Sequence, residues 1–125
     1  MEGHRVIQTS PTMRILVAVE PVDFRRGIDG LAAICRQQLA RDPMNGWAFV
    51  FRNRSRTAVK ILLYDGQGFW LCHKRLSSGK FGWWPTGDQI PGRFLQGHEL
   101  HVLLSGGNPE KAGGVPLWRP VLRGE

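Results

Sequence analysis

Carboxylates are nearly missing from the middle of this 125-residue chain. Between Pro43 and Gly87 the lone acid is Asp65, against Arg52, Arg54, Arg56, Lys60, Lys74, Arg75 and Lys80. That third therefore carries +6 of the net +7, and the rest of the chain only +1. Acids elsewhere stand singly, as Asp23, Asp29, Asp88 and Glu99 do. A site that holds two Mg²⁺ ions for strand transfer needs clustered carboxylates, so the scatter argues against a nuclease or transposase centre. Cysteine is scarce too. Cys35 and Cys72 lie far apart, form no C-x-x-C pair and make no disulfide framework. They read as small buried hydrophobes. No apolar run approaches the roughly 20 residues that span a bilayer. The start, Met1-Glu2-Gly3-His4-Arg5, lacks the apolar core of a signal peptide. The expectation is a cytoplasmic protein without membrane contact.

Other sites are poorly supported. His98-Glu99-Leu100-His101 resembles half a zinc motif, but further ligands are wanting, so the two histidines read as surface residues and no metal is expected. No Gly-rich phosphate loop opens a helix, so nucleotide hydrolysis has no basis and no cofactor is expected. The chain reads as a non-enzyme.

What is present is charge with a pattern. An isoelectric point near 10.5 attracts polyanions. Charge alone does not choose among DNA, RNA and anionic membrane; its placement says more. Ile15 to Val19 is a β-branched run that reads as a buried strand. Pro21 stops it, and Asp23 is placed to cap a helix with apolar positions at Phe24, Ile28, Leu31, Ala32, Cys35 and Leu39. Gly27 and Gly30 weaken that helix, so either they allow close packing or the helix starts later. Asp42 to Gly46 ends it in a turn. Strands follow at Trp47–Phe51, Ala58–Tyr64 and Phe69–Leu76, then a short fourth strand at Phe81–Trp84, halted by Pro85. Thr86 to Gly92 reads as loop. Phe94 to Ser105 reads as a second helix, closed by Gly106-Gly107. The expected fold is α+β: a small antiparallel β-meander of four to five strands, one main helix after the first strand, and a short C-terminal helix. Residues 1–12 are expected to be a flexible arm, 13–105 a single domain, and 106–125 a Gly/Pro-rich tail.

A meander puts its first and third connections at one end of the sheet. Arg52, Arg54 and Arg56 should therefore share an end with Lys74, Arg75 and Lys80, while Asp65 lies at the other. Arginine forks suit phosphate oxygens, and Asn53, Ser55 and Thr57 add neutral donors. The bland alternative is a solvated hairpin tip whose charges keep the strand edges from pairing. Trp83 and Trp84 start beside this end. Aromatic faces next to cations stack bases in single-strand binders; the alternative is that one is core and the other covers a sheet face. Arg25 and Arg26, placed in the first helical turn, oppose the helix dipole and offer a secondary contact. The candidate nucleic-acid contacts are thus Arg52, Asn53, Arg54, Arg56, Lys60, Lys74, Arg75, Lys80, Trp83 and Trp84, with Arg25 and Arg26 behind them.

Several stretches, in order, resemble a known family. These are Pro21-Val22-Asp23-Phe24-Arg25-Arg26-Gly27-Ile28-Asp29-Gly30-Leu31, Asp42-Pro43, Phe49-Val50-Phe51-Arg52-Asn53-Arg54, Lys60-Ile61-Leu62, Asp65-Gly66-Gln67-Gly68-Phe69, Lys74-Arg75-Leu76 and Gly79-Lys80-Phe81. Over about residues 13 to 105 the chain is similar to the small accessory proteins (second open reading frame) of insertion sequence 66 elements. The resemblance implies a bacterial mobile element in which a separate, larger transposase carries the chemistry, and it implies no catalytic site here. The Gly-Pro-rich tail after Ser105 departs from the family pattern. Two functions stay open: a basic module that binds DNA through its phosphates, or an adaptor that docks on the transposase without touching DNA.

Overall fold

The computed structural model describes residues 13–112; the expected arm and most of the expected tail lie outside them. The elements are β1 (Ile15–Ala18), α1 (Ile28–Gln37), β2 (Ala48–Arg52), β3 (Ala58–Tyr64), β4 (Phe69–Arg75), β5 (Gly92–Leu95), α2 (Gly97–Leu104) and α3 (Pro109–Ala112). Five strands make one sheet in the order β4-β3-β2-β1-β5. The α+β architecture, with its main helix after the first strand and a short C-terminal helix, is as the sequence leads one to expect.

The antiparallel meander is confined to β2, β3 and β4. β1 lies parallel to β2, because α1 is the crossover that returns the chain to the same end. β5 closes the other side of β1, antiparallel. Each face of the sheet has its own core. Leu16, Ala18, Phe49, Phe51 and Leu62 pack under Leu31, Ala32, Ile34, Cys35 and Leu39 of α1 and its C-terminal flank. Ile15, Val17, Ala48, Val50 and Val59 pack under Phe81, Trp84, Leu100 and Leu103. Inner strands buried on both faces read as continuous apolar runs, as β1 and Ala48–Phe51 of β2 do.

Three expectations need correction. Phe81–Trp84 is not a strand. After β4 the chain must cross the whole sheet to reach β5, and residues 76–91 do so without regular structure. Phe81 N–H donates to Arg56 O (2.8 Å) and the Trp84 indole to Ala18 O (2.8 Å), so the segment straps the sheet and plugs the core. The last strand is instead Gly92–Leu95, read above as loop and helix. The second helix accordingly starts at Gly97, where Gln96 and Glu99 cap each other's backbone amides. Gly106 does close it in a left-handed conformation (φ 91°). Part of the expected tail, Pro109–Ala112, is helical, and Glu110 there reaches Arg93 at 3.8 Å.

The third correction concerns the start of α1, which is Ile28, with Gly27 as its cap. Asp23 accepts the Arg25 N–H (2.9 Å) in a tight turn before the helix, so Arg25 and Arg26 lie upstream of the first helical turn. Gly30 has a packing reason: a Cβ there would stand 2.9 Å from the Arg26 Cβ.

Candidate nucleic-acid interface

Register brings the two basic connections together. Ala58 pairs with Arg75. Leu76 N–H donates to Thr57 O (2.9 Å), and Phe81 N–H to Arg56 O. The β2–β3 and post-β4 connections are thus tied side by side. The Pro21–Arg26 segment joins them, since Val22 N–H donates to Arg52 O (3.0 Å). Arg25, Arg26, Arg52, Arg54, Arg56, Lys74, Arg75 and Lys80 consequently stand at one end of the sheet. Asp65 is at the other, holding the β3–β4 turn through Gln67, Gly68 and the Trp70 indole. Those three bonds, the indole's foremost, hold its carboxyl below the usual range.

Within the β2–β3 connection the neutral side chains bond one another and the turn's own backbone. Asn53 Oδ1 accepts from the amides of Thr57 (2.9 Å) and Ala58 (3.1 Å), and its Nδ2 donates to Thr57 Oγ1 (2.8 Å). The Ser55 and Thr57 hydroxyls bond each other at 2.9 Å. Asn53 thus builds the turn, and its polar groups are already engaged. The same turn places Arg56 at φ 61°, a left-handed conformation that costs an L-residue roughly 1–2 kcal/mol. Arg54 is exposed.

Arg52 lies against the strap, its guanidinium carbon 6.0 Å from the Trp84 ring centre. Its Nη1 donates to the carbonyls of Asn53 (3.3 Å) and Arg54 (3.4 Å), while its Nε is buried without a partner. Desolvation, then the Arg56 charge, lowers its pKa; Glu20 opposes and Arg54 adds a little. An anion docking here would relieve that crowding.

Five of the expected contacts take other roles. Lys60 is only 7% exposed. Its ammonium donates to Phe24 O and Arg26 O, both at 2.9 Å, and lies 4.9 Å from the Phe24 ring centre. It pins the Pro21–Arg26 segment to β3 and is unavailable to phosphate. Trp84 is 3% exposed, a core residue. Trp83 is half-buried against the same core, so the pair offers no stacking platform. Arg25 is exposed but neutralised: its guanidinium grips both Asp23 oxygens, at 2.7 Å for the shortest bond. That grip pulls the Asp23 carboxyl down to about 2. Lys74 is exposed, and its ammonium bonds Leu104 O, a carbonyl at the end of α2, where the helix dipole favours a cation.

Arg54, Arg56, Arg75 and Lys80 remain, with Arg26 beside them. None of these forms an ion pair among the described residues. An open cleft of about 410 Å³ separates the two basic segments, lined by Pro21, Val22, Asp23, Phe24, Arg25, Asn53 and Arg54. The sequence hid this cleft, because its walls come from stretches some thirty residues apart that only the parallel β1–β2 pairing brings together. Among the described residues no three His, Cys, Asp or Glu side chains group as metal ligands, and no helix is long and apolar enough to cross a membrane.

Comparison with known proteins adds a family. The family model described as IS66 Orf2-like protein matches residues 13–113. Two curated proteins of Sinorhizobium fredii (strain NBRC 101917 / NGR234), titled uncharacterized protein y4jC and uncharacterized protein y4hO, are each 36% identical to the chain. The first aligns over 93% of this chain and 97% of its own length, the second over 95% and 100%. No solved structure matches.

Proposed function

The chain belongs to the IS66 Orf2-like family, with a transposition-associated accessory role, and on that premise we propose that it binds nucleic acid by gripping phosphates with the basic end of its sheet. One observation carries this: Arg54, Arg56, Arg75 and Lys80 converge on two tied turns with no carboxylate partner among the described residues. Like charges held together cost energy unless a polyanion is the intended neighbour. Arginine forks supply paired donors for phosphate oxygens. The contact reads backbone and not sequence, since the amide and hydroxyl groups of the turn are spent internally. The protein does no chemistry of its own in this reading, and strand transfer falls to a separate enzyme.

Salt titration of DNA binding is the test. Neutralising about four phosphates gives a slope of log affinity against log salt near −3.6 on duplex DNA. A salt-independent affinity, or no binding while the element's transposase still associates, would instead make the protein an adaptor.

A further inference from the structure

The opposite end of the sheet holds a second, different surface. Trp47, just before β2, and Phe94, on the outer strand β5, meet edge to face with ring centres 5.5 Å apart and planes at 72°. Two guanidinium groups rest on them. Arg14 lies 5.7 Å from the Trp47 ring centre and 5.8 Å from that of Phe94; Arg41 lies 5.2 Å from Trp47. Both arginines are exposed, and neither has an ion-pair partner among the described residues. Phe94 is 47% exposed, as is Met44 in the adjoining turn at 54%. The aromatic pair continues the core row of Phe49 and Leu16 toward the outer strand, where among the described residues Phe94 is left exposed.

We infer that this Arg14–Trp47–Phe94–Arg41 surface docks an acidic, aromatic-bearing segment of a protein partner. The partner's carboxylates would take the two guanidinium forks, which the rings already hold in place, and its apolar side chains would cover Phe94 and Met44. Tryptophan and arginine are enriched in binding hot spots, and phenylalanine and methionine in interface cores. A nucleic acid is the poorer occupant. The two guanidinium groups on these rings suit one or two carboxylates of a short segment and are too few to follow a run of phosphates. The rings also meet at a steep angle and offer no parallel platform for successive bases. Nothing here depends on the phosphate contacts proposed above.

The experiment follows the indole N–H resonance of Trp47 in the full chain, identified by its loss in Trp47→Phe. A short peptide alternating glutamate and phenylalanine should shift it saturably; its lysine-for-glutamate counterpart should not. Arg14→Ala/Arg41→Ala should weaken the peptide about tenfold, with the other amide signals in place as proof of fold, and Phe94→Ser should weaken it independently. Arg54→Ala/Arg56→Ala should leave peptide binding unchanged. No shift with the acidic peptide, an equal shift with the basic one, or tighter saturation of the same resonance by a thymidine oligonucleotide would overturn the inference.

Discussion

The two ends of the sheet use the same residue type in opposite ways. At one end Arg54 and Arg56 belong to a turn whose other polar groups are satisfied internally, and neither has an ion-pair or ring partner among the described residues. At the other, Arg14 and Arg41 lie on aromatic rings. The first arrangement suits a long, uniformly charged ligand, whose affinity comes from counterion release. The second suits a compact partner that brings both carboxylate and apolar surface. A formal charge of +7 is blind to this difference, which lies in what each guanidinium touches.

Buried Lys60 should give the largest effect on removal, and it acts on fold before function. Lys60→Met leaves the part-buried carbonyls of Phe24 and Arg26 without their donor, and an acceptor orphaned away from water costs about 1–3 kcal/mol. Urea unfolding should show a loss of about 2–4 kcal/mol. Arg54→Ala, exposed and unpaired, should change stability by less than about 0.5 kcal/mol. If Lys60→Met were as stable as the parent, the Pro21–Arg26 segment would not be held by this tether.

Next comes the basic end itself. Losing Arg54 and Arg56 to Ala should flatten the salt slope by about 1.8, two phosphate contacts' worth, and weaken all DNA sequences alike. Arg14→Ala/Arg41→Ala should leave the slope as it was. Arg56→Gly sharpens this contrast further. It removes the same charge but frees a left-handed position, so affinity should fall while stability holds or rises by up to about 1 kcal/mol. An affinity loss that tracked stability across these variants would mean that the turn's shape matters and its charge does not.

Lys60 also marks where the sequence was legible and where it was not. Its strand, Ala58-Val59-Lys60-Ile61-Leu62-Leu63, is almost unbroken apolar residue. A strand of that kind is covered on both faces, so a lysine inside it is a buried donor in search of carbonyls. Lys60 accordingly donates to Phe24 O and Arg26 O and is no surface cation. The helix α1, the β2–β4 meander and the charge convergence followed from periodicity, turn residues and topology, all of them local or nearly so. The strap and β5 did not. Phe81-Gly82-Trp83-Trp84 has strand composition, but β-propensity records a fit to a half-buried surface, and a plug under a helix supplies one equally well. Nothing local in Gly92-Arg93-Phe94-Leu95 says that it will pair with a strand some seventy-five residues earlier. The Arg14–Trp47–Phe94–Arg41 surface depends on that pairing, and so it was invisible as well.

The smallest effect expected at the basic end belongs to Asp23. Its carboxyl, held down to about 2 by the Arg25 side-chain and backbone bonds, loses its proton more readily in the folded chain than unfolded. The folded state therefore gains stability from ionised Asp23 above the unfolded pKa of about 3.9. That gain disappears as pH falls from there through about 2. Both partners face solvent, with the Arg25 side chain 91% exposed, so the energy is small and sensitive to salt. A carboxyl ¹³C titration should place Asp23 near 2 in the parent and well above that in Arg25→Ala. The same variant discriminates between roles for Arg25. With its fork occupied by Asp23, its loss should hardly alter the salt slope of DNA binding. Asp23→Asn, which frees that fork, should strengthen binding slightly. If Arg25→Ala weakened DNA as much as Arg54→Ala does, the Asp23 pair would have to open on binding, and the cleft between Arg25 and Arg54 would itself be part of the contact.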